Sequence, residues 1–224
     1  MSQDTTGEFD VVILGGGSGG YACALRASQL GLSVALIEEG KLGGTCLHNG
    51  CIPTKALLHA AEVADETREG SKVGVLSQLT GIDMVQVNNY KDSVVARLYK
   101  GLQGLVSQRG VTYVEGTGRL VAPNAVELNG TRYVGRNIVL ATGSYARSLP
   151  GLEIAGCVVT SDQALVMDWI PPSVIVLGGG VVAVEFASVW RSFGSDVTIV
   201  EALPRLVPAE DEACSKALER AFRK

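Results

Sequence analysis

Apolar and polar positions alternate along this chain with two different periods, and the places where the period changes divide it into elements. Phe9 to Leu14 is a short apolar run that reads as a buried strand, followed by GGGSGG at Gly15 to Gly20 and then by helical spacing through Leu30. Gly31 stops that helix, and Ser33 to Ile37 is a second strand, so the opening residues spell one βαβ unit. A second helix is expected from about Pro53 through TKALLHAAEVADETRE, because proline is tolerated in a first turn. A third is expected from Asp83 to about Gln108, with Met84, Val87, Val94, Val95, Leu98, Leu102 and Leu105 at roughly helical intervals.

After Gly110 the period falls to two. VTYVEG, AVELNG and TRYVG, with the hairpin dipeptide Asn129-Gly130, predict a small antiparallel sheet, and NIVLATG then reads as a buried strand. SLPGLEIAG is rich in proline, glycine and small residues, which places a domain boundary near residue 150. Beyond it the opening plan recurs: strand SVIVLGGG, a helix through about Phe193, Gly194 as its stop, and strand DVTIVE ending at Glu201. Gly15 to Glu38 spans 23 positions, and Gly178 to Glu201 spans 23 again. The predicted fold is therefore α/β, with a first nucleotide-binding domain over 1–150 and the start of a second over 151–224.

The glycines give these units a chemistry. G-x-G-x-x-G between a strand and a helix permits a tight turn and close backbone approach, so that a pyrophosphate can rest on the helix N-terminus. Gly15, Gly17 and Gly20 fit it, and Glu38 stands where an acid accepts hydrogen bonds from a ribose. Glycine-rich turns also occur for helix packing alone; the flanking strands, helix and acid favour the nucleotide reading here. The second copy is Gly178, Gly180 and Ala183, alanine being small enough for the third position, with Glu201 as its acid. A carboxylate there repels a 2′-phosphate, so NAD is expected rather than NADP, although Arg205 lies four residues on. Two dinucleotides in one chain suggest electron traffic between a flavin and a nicotinamide.

Composition excludes more than it proves. The 224 residues are 46% hydrophobic with 28 glycines, which fits an α/β protein with many tight turns. A net charge of −4, with acids and bases interspersed, gives no nucleic-acid footprint and no polybasic membrane anchor. The polar opening MSQDTTGEFD is unlike a secretory signal and no apolar run approaches a bilayer span, so a cytoplasmic protein with small-molecule partners is expected. Five cysteines without such a signal argue against a secreted disulfide framework.

Cys46 and Cys51, in GGTCLHNGCIPTKALL, remain to be explained. Five residues of regular helix rise about 7.5 Å, beyond the ~7 Å Cα separation that a disulfide tolerates. They can pair only across a turn or a distorted helix start, for which Gly50 and Pro53 provide. Such a bond would be reducible rather than stabilising, as a redox couple requires. Zinc would need four ligands and finds only His48 and His59 nearby, so no metal site is expected. Two buried thiols that never pair remain a third reading. Cys23, Cys157 and Cys214 carry no motif.

GGTCLHNGCIPTKALL resembles the redox-active disulfide segment of the class I pyridine nucleotide–disulfide oxidoreductases. Its CIPTK ending is most similar to the branch of that family that oxidises dihydrolipoamide, since the glutathione and mercuric reductase types more often carry valine in place of Ile52. The flavin fingerprint, ATGS at Ala141 to Ser144, and GGGVVAVEFAS at Gly178 to Ser188 extend the resemblance over the whole chain. It implies that Gly15 to Gly20 and Glu38 bind FAD, with Gly43, Gly44 and Thr45 continuing that lining and Gly118, Thr142, Gly143 and Ser144 adding backbone contacts. It implies that Cys51 is the thiol beside the flavin that forms a charge-transfer thiolate, and that Cys46 exchanges with the substrate. Lys55 would approach the flavin and pair with Glu185 on the nicotinamide side, while Gly178, Gly180, Ala183 and Glu201 hold NAD.

The implied reaction is oxidation of dihydrolipoamide, carried on a domain of a 2-oxoacid dehydrogenase or glycine cleavage complex. Family members homodimerise, and they use a histidine–glutamate pair near the C-terminus as acid and base. His48 and His59 lie in no such context, so these residues are expected to be the N-terminal half of such an enzyme, without its dimerisation domain. The alternatives are another disulfide reductase of the same fold, or a flavin-binding module without turnover.

Overall fold

The computed structural model describes residues 5–223. The first four residues of the polar opening stretch and Lys224 lie outside them. The chain forms two compact units, one ending at Ile52 and resuming over Ser93–Leu152, the other formed by Pro53–Asp92 and the residues from Glu153 onward.

The first unit is built on β1 (Thr5–Leu14), α1 (Ser18–Gln29) and β2 (Val34–Glu38), the βαβ unit read from the sequence. α2 (Gly44–His48) and the start of α3 (Cys51–Glu69) follow. The unit resumes in the later part of α4 (Met84–Gln108), then β3 (Thr112–Glu115), β4 (Arg119–Ala122), β5 (Ala125–Leu128) and β6 (Thr131–Leu140). All six strands form one sheet in the order β3-β2-β1-β6-β5-β4. β3, β2, β1 and β6 run parallel, and β5 and β4 extend the sheet antiparallel.

Three local expectations change. VTYVEG was expected in the antiparallel part, but β3 pairs parallel with β2, Ala35 opposite Thr112 and Glu38 opposite Glu115. A half-buried strand alternates in the same way whichever direction its neighbour runs, so period alone does not separate the two. TRYVG and NIVL, read as separate strands, are one ten-residue strand that passes through Gly135, where an added Cβ would lie 2.8 Å from the Asn137 carbonyl oxygen and 2.9 Å from Val12 Cγ2. The end of that strand is also less covered than a buried strand, with Leu140 60% exposed. The hairpin itself forms at Asn129-Gly130, with φ of 52° and 83°, the pair of positive angles that a two-residue hairpin turn demands.

β1 is buried on both faces, as a central parallel strand must be. Val11 and Ile13 pack with Ala24 and Ala27 of α1 and with Leu102 and Val106 of α4. Val12 points the other way and packs with Ala35, Ile37, Val126, Leu128 and Tyr133, so side chains of the antiparallel wing cover the second face. At the opposite end from the glycine turn, Asp10 clasps β1 to the residue before β2: its carboxylate accepts from the Ser33 N–H at 2.9 Å and from the Ser33 hydroxyl at 2.8 Å. These two bonds, with Arg136 alongside, hold the Asp10 carboxyl below the usual carboxylate range.

The second unit contains most of α3, the first turns of α4, α5 (Ser161–Ala164), β7 (Ser173–Leu177), α6 (Val181–Phe193), β8 (Asp196–Val200) and α7 (Glu212–Phe222). β7 and β8 pair in parallel as a two-stranded sheet. Leu57 and Ala61 of α3, Met84, Leu165, and Phe186, Val189, Trp190 and Phe193 of α6 form its core. Two side chains one turn apart on α4 tie down the chain after α5: Asn88 Nδ2 donates to the Met167 carbonyl at 2.9 Å, and the buried Lys91 Nζ to that of Leu165 at 2.6 Å. No helix among the described residues is long and apolar enough to cross a membrane.

The Asp10 clasp sets a pH dependence. A carboxyl with a lowered native pKa stabilises the fold above its unfolded pKa of about 3.9, and that stabilisation fades as pH falls through the native value. Asp10→Asn is therefore expected to lower stability at pH 7, with the gap to the wild type closing progressively below about pH 4. Urea unfolding at several pH values measures this; a gap that stays constant down to pH 2.5 would contradict it.

Candidate functional site

The first glycine turn begins where β1 ends. Gly15 takes a φ of 104° and donates its N–H to the Ile37 carbonyl at 2.8 Å. A Cβ on Gly15 would lie 2.1 Å from the Ala141 carbonyl oxygen, and one on Gly20 would lie 1.8 Å from that of Gly15, so neither position accepts a side chain. Gly17 is the extended N-cap residue of α1, where no side chain caps the helix and no acid occupies the first turn. The helix N-terminus therefore keeps N–H donors for an anion.

Glu38 closes this turn from the end of β2. One carboxylate oxygen accepts the Gly16 N–H, and the other accepts the Gly40 N–H at 2.8 Å. The second turn repeats the arrangement. Gly178, with φ of 99°, donates to the Val200 carbonyl at 2.8 Å, and Gly180 is the extended, uncapped N-cap residue of α6. Glu201 accepts from the Gly179 N–H at 2.5 Å and from the Leu203 N–H at 2.8 Å. The bonds from Leu203 and then Gly179 hold its carboxyl below the usual carboxylate range. Ala183 sits in the first turn of α6.

The copies differ in what surrounds them. Gly15 is sterically obligatory because β6 runs beside β1 and continues into Ala141, whose N–H bonds the Leu14 carbonyl at 2.8 Å. An added Cβ on Gly178 or Gly180 meets nothing within 4 Å, and only the positive φ of Gly178 demands glycine there. Arg205, four residues past Glu201, donates to Ser215 Oγ at 3.1 Å and to the Pro208 carbonyl at 3.0 Å.

The cysteines stand on either side of a helix break. Cys46 lies in α2, half-buried; α2 closes with the Asn49 N–H on the Thr45 carbonyl at 2.8 Å, and Cys51 opens α3, exposed. The helix expected from about Pro53 thus starts two residues earlier, and the expected irregularity falls at Asn49 and Gly50. A Cβ on Gly50 would lie 3.0 Å from the Thr45 carbonyl oxygen and 3.5 Å from Cys46 Cα, so the missing side chain lets the link to α3 pass close to α2.

α2 is attached to the first glycine turn. The Gly43 N–H donates to the Gly16 carbonyl at 2.9 Å, and Gly44 approaches Gly17 so closely that its Cβ would lie 2.6 Å from Gly17 Cα. Thr45 is exposed on α2. Thr142, Gly143 and Ser144 follow β6 as an exposed strip. Gly118 packs instead among Leu14, Ile37 and Val126, each of which its Cβ would approach to 3.0 Å or less. In the second unit, Lys55 Nζ donates to Glu185 Oε1 of α6 at 2.5 Å, joining residues 130 positions apart.

Gly40 and Leu203 also take part in these arrangements and were not singled out from the sequence. Both act through backbone N–H groups, which carry no residue-type signal. Their matching position two residues after each acid was the one available clue. Among the described residues no group of three or more histidine, cysteine or acidic side chains is placed to hold a metal ion.

Comparison with known proteins agrees with this geometry. The family description "pyridine nucleotide-disulphide oxidoreductase" matches residues 9–224. The chain is 44% identical over 97% of its length to the dihydrolipoyl dehydrogenase of Bacillus subtilis (strain 168), covering 49% of that protein. It is 40% identical over 97% of its length to the mitochondrial dihydrolipoyl dehydrogenase of Pisum sativum, covering 45% of it. It has the same identity and coverage to the leghemoglobin reductase of Vigna unguiculata, covering 43% of it. The chain thus spans about half the length of the curated relatives it matches. With two acid-closed glycine turns and a cysteine pair beside the first, it belongs to the pyridine nucleotide-disulphide oxidoreductase family.

Proposed function

We propose that this chain is the electron-transferring half of a flavoprotein that oxidises dihydrolipoamide and reduces NAD, with Cys46 and Cys51 as its redox couple. The observation that carries this reading is the attachment of α2 to the first glycine turn through Gly43–Gly16 and Gly44–Gly17, which builds the cysteine segment onto a dinucleotide cradle. On this reading residues 1–150 form the flavin domain and 151–224 begin the nicotinamide domain.

The residues fit the groups that the family implies. Uncapped first turns behind Gly17 and Gly180 suit a pyrophosphate, and the lone pairs left on Glu38 and Glu201 suit ribose hydroxyls. Arg205 is engaged by Ser215 and Pro208, and Glu201 presents a negative charge, a combination that supports NAD over NADP. When bound, FAD would supply a two-electron carrier and NAD a hydride acceptor.

The thiol chemistry falls to the chain. One sulfur of the dithiol substrate attacks Cys46 Sγ, the Cys46–Cys51 bond breaks, and Cys51 Sγ leaves as a thiolate at the start of α3, where first-turn N–H groups favour negative charge. The second substrate sulfur attacks the first and displaces Cys46, closing the substrate disulfide. Two electrons thus pass from the dithiol to the cysteine pair, while one proton goes to Cys46 and the other to solvent. Lys55, held by Glu185, supplies a fixed cation one turn from Cys51 on α3. A couple that must cycle suits a reducing compartment such as the cytoplasm. The names of the relatives point to a lipoyl-bearing carrier as the source of the dithiol.

Two experiments test this reading. Gly20→Ala places a methyl group 1.8 Å from the Gly15 carbonyl oxygen and is expected to abolish FAD retention, while Gly104→Ala, on the exposed face of α4 with nothing within 4 Å, leaves it intact. Equilibrium dialysis against FAD reads this, and equal retention by both variants would remove the first turn as the cradle. Two-electron reduction of the FAD-loaded chain is expected to give a long-wavelength absorption band that Cys51→Ser eliminates; a band unchanged in that variant would count against Cys51 as the flavin-side thiol.

A further inference from the structure

α2 is five residues long, too short to hold its own shape, because an isolated helix of that length has paid for nucleation without gaining propagation. The position of Cys46 therefore depends on what anchors α2. At its front, the Gly43 N–H holds the Gly16 carbonyl. On its inner side, Leu47 is 7% exposed and joins the core with Leu42 and Leu102. At its rear stands His48, which none of the chemistry above employs.

His48 makes two directed contacts. Its Nε2 lies 3.0 Å from the carbonyl oxygen of Leu42, a residue only 1% exposed; a carbonyl can only accept, so Nε2 carries the proton and donates. Its ring meets Tyr99 of α4 edge to face, with centroids 5.0 Å apart and planes at 77°. Tyr99 is itself packed into the core that holds β1 and α1. The imidazole thus joins the end of α2 both to the loop that precedes it and to the long helix behind it.

We propose that His48 is a positioning residue for the redox couple, fixing where Cys46 stands relative to Cys51. It acts through the helix: two residues along α2 correspond to about 200° of rotation, which directs His48 and Cys46 to opposite sides. The proposal rests on the reading of Cys46 and Cys51 as a couple. A disulfide forms readily when its thiols are held near bonding geometry, so loosening α2 lowers their effective concentration and shifts the equilibrium towards the dithiol.

The test equilibrates the full 224-residue chain in glutathione buffers and counts thiols by alkylation and mass spectrometry. Reduction breaks the Cys46–Cys51 bond and gives two thiols, while two glutathione molecules become one glutathione disulfide. His48→Ala is expected to favour the dithiol by about tenfold, the scale of a lost hydrogen bond together with a lost ring contact. His48→Gln, whose amide N–H reaches close to the position of Nε2, is expected to remain within about threefold of wild type. Should the alanine variant not fold, His48→Phe keeps a ring against Tyr99 and loses only the donor, with an expected shift of about threefold or more.

A second measurement separates this proposal from the couple it rests on. In a Cys51→Ser background, His48→Ala or His48→Phe is expected to speed alkylation of the half-buried Cys46 several-fold, with no disulfide involved. An equilibrium constant and an alkylation rate both unchanged in the folded variants would overturn the role of His48. Failure of the wild-type chain to form a Cys46–Cys51 disulfide, with the His48 effect on Cys46 alkylation intact, would instead overturn the redox couple.

Discussion

A carboxylate at the end of one strand gripping the backbone N–H of the turn that leaves its neighbour is the constraint on which the rest of this chain depends. Glu38 does this to Gly16, and Glu201 to Gly179. In each case the second oxygen of the same carboxylate is held by an N–H two residues beyond the acid, from Gly40 or Leu203. The acid is therefore oriented before any ligand arrives, with lone pairs still open towards the turn. Preorganisation of this kind lowers the ordering cost of binding, which raises affinity without further contacts.

The first turn carries a heavier burden than the second. Gly15 is pressed against Ala141, Gly20 against Gly15, and Gly44 against Gly17, so three chain segments meet with no space for a methyl group. That crowding transmits position: what fixes Gly16 and Gly17 also fixes Gly43 and Gly44, and through them the helix that bears Cys46. The same economy recurs at Gly50, where the absent side chain lets the link between α2 and α3 turn back close to Thr45 and Cys46. The placement of the segment that bears Cys46 thus depends in part on backbone contacts at glycines.

Much of this was legible in the sequence because burial and turn chemistry are local. The apolar runs of β1 and β2, the stops at Gly31 and Gly194, and the Asn129-Gly130 hairpin each announce themselves within a few residues. Continuity and direction do not: TRYVG and NIVL read as two strands where β6 is one, and β3 alternates as either sheet direction permits. α2 was too short to show a period. Lys55 was an ordinary exposed helix lysine by spacing, and only the family resemblance suggested Glu185, 130 positions away, as its partner. Pairings across that distance depend on how elements pack, which no window of sequence contains.

The same reasoning explains why the cysteine spacing alone was ambiguous. A gap of four residues is compatible with a metal clip, a structural staple or a reversible couple, and the choice depends on what holds each sulfur. Here one cysteine opens a 19-residue helix and the other sits in a five-residue helix that only its neighbours keep in place. Cys51 inherits the rigidity of α3, whereas Cys46 inherits the sum of Gly43, Leu47 and His48. On the proposed reading, a thiol that pairs with its neighbour and opens to a substrate benefits from that asymmetry, because one partner stays fixed while the other can be adjusted by a few contacts. On the same reading, control over the couple resides in the residues around α2, among which His48 contributes a side-chain donor directed at the Leu42 carbonyl.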